Sequence, residues 1–290
     1  MGCIEKIYSV SALIGTGKCN GKCKFCAATD LRKEVGVVSK DLYFRNFDTA
    51  LRLSARYGGW SLSLTGSGEP SVEPECVTEA LEHYSACAKQ GAYFPNVNLF
   101  TNGILFGDGE YCNTYLPLWR KLGLTNVAIS IHDVEETGQA EAYNIDSYPN
   151  LVDIKRNIEK HGVGVRLTLL LHKGIVDSSY TYAVAVSRLL EKGFNNITSW
   201  PVGNPDNSRN EFTPSRWGLF SIRRWLRKNA KMCHGHAWGG GVFDYNGAIL
   251  RYTDYVTKHN RRKDFVRQLV VFQDGTVAYS WIREGALCMK

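Results

Sequence analysis

Short apolar runs and amphipathic stretches alternate along the first 200 residues of the chain. Tyr8 to Ile14 reads as a strand that leads into a loop rich in glycine and cysteine. Phe47 to Tyr57 carries apolar residues at helical spacing and stops at Gly58-Gly59. Ser61 to Leu64 is a short strand running into Thr65-Gly66-Ser67-Gly68-Glu69-Pro70, and Glu73 to Lys89 is helical, with Val77, Ala80, Leu81 and Tyr84 on one face. A third strand, Val97 to Phe100, ends at Thr101-Asn102-Gly103; Tyr115, Leu116, Trp119 and Leu122 then mark a helix that Gly123 ends. Strands at Asn126 to Ile131, Gly164 to Leu171 and Ile197 to Trp200 follow. Helices over Leu151 to Ile158 and Tyr180 to Lys192 separate them, and a sixth helix starts with Thr213 as N-cap and Pro214 in its first turn.

Such strand–helix alternation with short links implies parallel strands joined by right-handed crossovers. Periodicity fits an open partial barrel and a doubly wound sheet equally well, and in both the ligands gather at the C-terminal ends of the strands. Past about residue 232 the pattern changes. Asp244-Tyr245-Asn246-Gly247 and Gln273-Asp274-Gly275 lie between apolar runs as hairpin turns. The chain therefore divides into an α/β unit over 1–231 and a small β-rich C-terminal cap or substrate-binding extension over 232–290.

The 290 residues are 44% apolar and 22% charged, as in ordinary soluble domains. No apolar run reaches the roughly 18 residues of a membrane span. The start, Met1-Gly2-Cys3-Ile4-Glu5-Lys6, lacks the basic and apolar regions of a secretory signal, so the expected location is cytoplasmic. Nine cysteines in that setting suggest metal binding or chemistry rather than disulfides; Cys76, Cys87 and Cys112, single in helical stretches, read as small buried apolar residues. The net charge of +7 is concentrated late: residues 211–290 hold 14 Lys and Arg against 6 Asp and Glu. The densest runs are Arg223-Arg224-Trp225-Leu226-Arg227-Lys228 and Arg261-Arg262-Lys263, which suit an anionic substrate, a nucleotide or RNA, or are solvated surface.

Cys19-Asn20-Gly21-Lys22-Cys23-Lys24-Phe25-Cys26 is the chemical centre of the sequence. Three thiolates in one loop, spaced C-x3-C-x2-C, converge on a single inorganic centre, and soft thiolates select zinc, copper(I) or iron–sulfur clusters. Structural zinc requires four closed ligands, and only Cys3 or His234 could supply the fourth from a distance. A [4Fe-4S] cluster held by three cysteines leaves one iron for an exchangeable ligand. With the aromatic Phe25 before the last cysteine, the chain resembles the radical S-adenosylmethionine (radical SAM) enzymes. The resemblance implies a partial (βα)6 TIM-like barrel in which Cys19, Cys23 and Cys26 hold the cluster. S-adenosyl-L-methionine would chelate the open iron through its amino and carboxylate groups. One electron, delivered by an external donor such as flavodoxin or ferredoxin, then yields a 5′-deoxyadenosyl radical that takes a hydrogen atom from substrate.

The same resemblance assigns cofactor contacts. Phe25 shelters the cluster and meets the adenine. Gly66, Gly68 and Glu69 correspond to a Gly-Gly-Glu-Pro-like run that meets the methionine amino group, although Ser67 stands where glycine is usual. Asn102 belongs to a Thr-Asn-Gly turn, and Ser130, with His132, ends the fourth strand near the ribose or the methionine carboxylate. Cys233, in Cys233-His234-Gly235-His236, is the catalytic candidate, as a hydrogen-atom donor. The substrate classes left open are small molecules, sugars, nucleosides and peptides. Runs at Cys23-Lys24-Phe25-Cys26-Ala27, Gly68-Glu69-Pro70 and Val127 to His132 also resemble the 23S-rRNA adenine methyltransferases, which makes a radical RNA methyltransferase the alternative. A zinc-binding nucleic-acid module without enzymatic activity is the alternative of another class.

Overall fold

In the computed structural model the described residues are 5–26, 28, 39–204, 206, 208–236, 239–254, 265–281, 283 and 287–289. Cys3, Ala27 and the Arg261-Arg262-Lys263 run lie outside them. Six parallel strands, β1 (Ser9–Leu13), β2 (Ser61–Thr65), β3 (Asn96–Thr101), β4 (Asn126–Ile131), β5 (Gly164–Leu171) and β6 (Asn196–Pro201), stand side by side in chain order. Helices connect them: α1 (Lys40–Arg56), α2 (Pro74–Lys89), α3 (Gly109–Lys121), α4 (Glu136–Tyr143), α5 (Leu151–Glu159) and α6 (Ser179–Glu191), with α7 (Arg216–Asn229) following β6.

Strand order decides between the two architectures that periodicity left open. A doubly wound sheet reverses its order to place helices on both faces. Here the order never reverses, so right-handed crossovers put every helix on one face and the sheet curls. The chain is thus the α/β partial barrel expected. Its outer face is apolar: Val10, Leu62, Leu64, Val97, Leu99, Val127, Ile129, Leu167, Leu169 and Ile197 are fully buried and share one core with Phe47, Leu81, Trp119, Ile154 and Val186 of the helices.

The β-rich C-terminal extension adds to both edges of this sheet. β7 (Lys231–Gly235), β8 (Gly241–Tyr245) and β9 (Ala248–Tyr252) form an antiparallel set whose last strand runs parallel to β6. β10 (Leu269–Val271) pairs parallel with β1 and continues antiparallel into β11 (Val277–Ala278) and β12 (Leu287–Met289). Both expected hairpin turns are present. Asn246 and Gly247 adopt φ of 53° and 81°, the left-handed pair that a two-residue turn requires.

Two local expectations differ from the structure. Helix α7 is capped by Ser215, whose hydroxyl accepts the Gly218 N–H, while Thr213 uses its hydroxyl to accept from Asn210 N–H in the preceding loop. Helix α4 has too few apolar residues to announce itself, and it ends on Asn144 at φ 52°. Cys87 and Cys112 are buried as expected, whereas Cys76 is only half-buried, and burial pushes the Cys87 and Cys112 thiols up to about 11. Arg224, Arg227 and Lys228 are solvated on α7, while Arg223 pairs with Asp254 at 2.7 Å.

The two faces of β5 should respond differently to truncation. Leu167→Ala is expected to cost about 2–5 kcal/mol in denaturant unfolding. Its neighbour Thr168→Ala should be about neutral, since the Thr168 hydroxyl has no hydrogen-bond partner to lose. Equal losses would contradict the assignment of faces.

Candidate functional site

The motif loops meet at the C-terminal ends of β1, β2 and β3, joined by backbone contact. Glu69 N–H donates to Lys18 O at 2.7 Å, which lays the turn after β2 directly on the loop after β1. Gly68 allows this approach: a Cβ there would lie 2.1 Å from Lys18 O and 2.4 Å from the Gly17 carbonyl carbon. Gly66 is close-packed in the same way, its Cβ position 3.0 Å from Ile14 O.

The Glu69 carboxylate is buried and collects donors from two strand ends. It accepts from Ser71 N–H at 2.9 Å, from the Thr101 hydroxyl at 2.6 Å and from Asn102 N–H at 2.6 Å. Burial raises its carboxyl pKa on balance, with these hydrogen bonds opposing the shift in part. All three partners donate, which suits the ionised form. Ser67, the departure from the family pattern, is buried, and its hydroxyl donates to Gln273 Oε1 at 2.9 Å. Since the Gln273 amide also donates to Gly15 O, this serine ties the C-terminal extension to the cysteine loop.

The cysteine loop is held at several further points. Thr16 N–H and its hydroxyl both donate to Glu73 at 2.8 Å, and Asn102 Nδ2 donates to Asn20 Oδ1 at 2.7 Å. Lys22 N–H donates to Tyr143 O at 2.8 Å, and Gly21 packs against the Tyr143 ring. Tyr143, at the end of α4, donates its hydroxyl to Ser130 O at 2.7 Å, so α4 links the loop to β4. Within the loop Gly21 N–H points at Cys19 Sγ at 3.4 Å. Cys19 is exposed; Cys23 and Cys26 are half-buried.

Phe25 sits inside a ring of aromatic side chains. His132, just past β4, lies 4.4 Å from it, His172, just past β5, 4.7 Å, and Phe212 5.6 Å between centroids. Burial, reinforced by His172, lowers the His132 pKa to about 3, so the imidazole stays neutral. His132 Nδ1 and His172 Nε2 are both sealed from solvent without a hydrogen-bond partner. Such orphaned polar atoms call for a partner that the protein itself does not supply, a water, an ion or a ligand.

The donor chemistry fits a thiophilic cluster: three thiols in one loop, a backbone N–H on one sulfur, and loop ends anchored on two strands. Among the described residues no group of three His, Cys, Asp or Glu side chains is drawn together closely enough to share an ion. Asn102 has its side chain engaged with Asn20 and Ile104 N–H, whereas the Ser130 carbonyl is held by Tyr143. Cys233 is exposed in edge strand β7. Sequence reasoning missed Tyr143, His172 and Phe212, which carry no motif of their own, and the tertiary contacts of Asn20 and Gln273.

The sequence profile described as the Radical SAM superfamily matches residues 13–183. Comparison with curated proteins gives no significant match. Among solved structures, anSMEcpe with bound AdoMet and Cp18Cys peptide superposes with a TM-score of 0.54 at 15% identity, over 77% of this chain and 59% of that one. Streptococcus suis SuiB bound to precursor peptide SuiA gives 0.63 at 10% identity, over 98% and 62%. Methylornithine synthase (PylB) gives 0.51 at 12% identity, over 77% and 63%. This chain thus spans about three-fifths of the length of these proteins, and the likeness is one of fold.

The backbone contact at Gly68 yields a test. Gly68→Ala forces the cysteine loop away from the β2 turn, so anaerobic reconstitution should load markedly less iron while the circular dichroism spectrum stays native. Glu69→Gln replaces one acceptor oxygen with a donor facing donors, and should cost about 1–3 kcal/mol in unfolding of the metal-free protein.

Proposed function

This chain belongs to the radical SAM superfamily of enzymes, and from that premise we propose that it cleaves S-adenosyl-L-methionine reductively and abstracts a hydrogen atom from substrate. The observation that carries this reading is the junction of three separately encoded motifs: the cysteine loop, Gly66–Pro70 and Thr101–Asn102 are fastened to one another through Glu69 and Asn20. Cys19, Cys23 and Cys26 would hold a [4Fe-4S] cluster, which with bound S-adenosyl-L-methionine supplies the 5′-deoxyadenosyl radical.

The remaining residues bind and orient. Phe25 shields the loop from water and offers an aromatic face for the adenine. The backbone of Gly66 and Gly68 lets a ligand approach closely. Glu69 acts as a positioning residue, since three protein donors already occupy its oxygens. Asn102 fixes the cysteine loop, and the Ser130 hydroxyl faces the ligand side of β4. The substrate is a small molecule or a peptide, the latter class represented among the fold neighbours by SuiB with its precursor peptide. Residues 232–290 serve as its binding extension. No helix among the described residues is long and apolar enough to cross a membrane.

Anaerobically reconstituted protein should carry about four irons per chain and, when reduced, release 5′-deoxyadenosine from S-adenosyl-L-methionine. Replacing any one of Cys19, Cys23 and Cys26 by Ala should abolish that release. Bound zinc without release would overturn the reading. Label from the S-adenosyl-L-methionine methyl group retained on RNA would redirect it to the methyltransferase. Cys233→Ala separates two roles of that thiol: release with product lost marks a hydrogen donor, and product retained marks a bystander.

A further inference from the structure

The inner face of the barrel carries many polar side chains among a few apolar ones such as Phe100 and Ala128. Ser9 and Ser11 of β1, Ser61, Ser63 and Thr65 of β2, Asn96 and Asn98 of β3 and Ser130 of β4 alternate with the buried outer residues. Register carries one row of these positions across four strands: Ser130 opposite Thr168, Thr168 opposite Thr198, and Thr198 opposite Arg251. One step deeper, Arg166 stands opposite Ala128, which stands opposite Phe100.

Two arginines on this face are close enough for their charges to oppose each other, and desolvation lowers the pKa of both. The Arg166 guanidinium lies over the Phe100 ring at 5.2 Å, and its Nε is sealed from solvent with no hydrogen-bond partner. Arg251 donates through Nη1 to Asn196 Oδ1. Among the described residues neither guanidinium pairs with a carboxylate; the other charged or ionisable group that acts on both is the Tyr8 phenol. Beside them the Thr168 and Thr198 hydroxyls are buried and have no partner.

Two like charges kept together in a partly desolvated place, ringed by unused donors, cost stability unless something negative joins them. We propose that the inner face of the barrel binds an oxyanion of the substrate, a carboxylate or a phosphate, between Arg166 and Arg251, with Thr168 and Thr198 donating to it. That this anion belongs to a substrate rests on the proposed function; the binding site itself does not. Planar guanidinium groups suit such oxygens because two parallel N–H bonds meet them at once. Thr168 lies four residues before His172, which at about 3.3 Å per residue is about 13 Å along β5. The substrate is therefore anchored deep in the barrel by its anion, with its reacting carbon some way toward the strand ends where Phe25, His132 and His172 lie.

Thermal unfolding of the full chain, with and without reconstituted cluster, tests this. Inorganic phosphate and acetate are titrated separately against chloride at fixed ionic strength, which cancels general screening. The melting temperature should rise saturably with one of the two anions, as expected when a ligand binds only the folded state. A preference for phosphate or for acetate identifies the oxyanion. Arg166→Met and Arg251→Gln should each weaken the apparent affinity at least tenfold, while Arg224→Gln, on the exposed face of α7, should not. In Arg166→Met the anion-free melting temperature should hold, since an unpaired charge is removed. No saturable response in the wild-type protein, or equal responses in wild type and both variants, overturns the proposal. Saturable binding that depends on Arg166 in a protein that forms no 5′-deoxyadenosine would keep the anion site and remove the radical reading. The reverse pair of results would do the opposite.

Discussion

A single buried carboxylate holds the functional end of the barrel together. Through its side chain Glu69 gathers the Thr101 hydroxyl and the Asn102 N–H, which terminate β3; through its own N–H it holds Lys18 O, which starts the cysteine loop. Three strand ends that are far apart in sequence are thereby fixed on one residue, two through its carboxylate and the third through its backbone N–H. The carboxylate pays for its desolvation with three donors, each shorter than 3.0 Å. Remove the carboxylate, and the Ser71, Thr101 and Asn102 donors are left buried without that acceptor, while the backbone bond from residue 69 to Lys18 remains. Gly68 is the geometric condition for the arrangement, because only a residue without Cβ lets the two backbones approach so closely.

Much of this was legible in the sequence because it is written in local signals. The barrel strands carry alternating or continuous apolar runs, and β4 and β5 were placed with the bounds they have in the structure. The cysteine spacing and Gly68-Glu69-Pro70 are contiguous, so their chemistry could be read without a fold. Helix α4 was not legible. Its positioning groups, Gln139 accepting from His132 N–H and Tyr143 holding both Lys22 and Ser130, act through tertiary contacts that leave no periodic trace. Ser67 was read as a departure from the glycine pattern. Its reason lies 206 residues away in Gln273, beyond the reach of any local rule. The cap of α7 was misplaced for a related cause: Thr213 and Ser215 are both good caps, and the loop contact of Thr213 with Asn210 decides between them.

The strand order has a second consequence. With all helices on one side, the outer face absorbs the hydrophobic driving force and the inner face is released from it. A core would fill a narrow barrel with branched apolar side chains. This one carries serine, threonine, asparagine and arginine beside Phe100 and Ala128, a mixture that suits a ligand better than a packed core. Orphaned hydroxyls at Thr168 and Thr198 and the unpartnered Nε of Arg166 are in keeping with that role, since groups so placed find their partners in what binds.

In the proposed anion site the C-terminal extension supplies one of the two arginines. Arg251 reaches the inner face only because β9 pairs parallel with β6, with Arg251 opposite Thr198. That register is set by the β8–β9 hairpin, whose two-residue turn at Asn246-Gly247 pairs Ala248 with Tyr245 and Arg251 with Val242. Side chains alternate along a strand, so a slip of one residue would bury Leu250 or Tyr252 in the polar lumen and turn Arg251 outward. The apolar residues Ala248, Leu250 and Tyr252 are buried on the opposite face and penalise any such slip. The hydrophobic pattern of a peripheral hairpin thus fixes where a positive charge stands inside the barrel. The β8–β9 hairpin thereby sets the position of Arg251 in the proposed anion site.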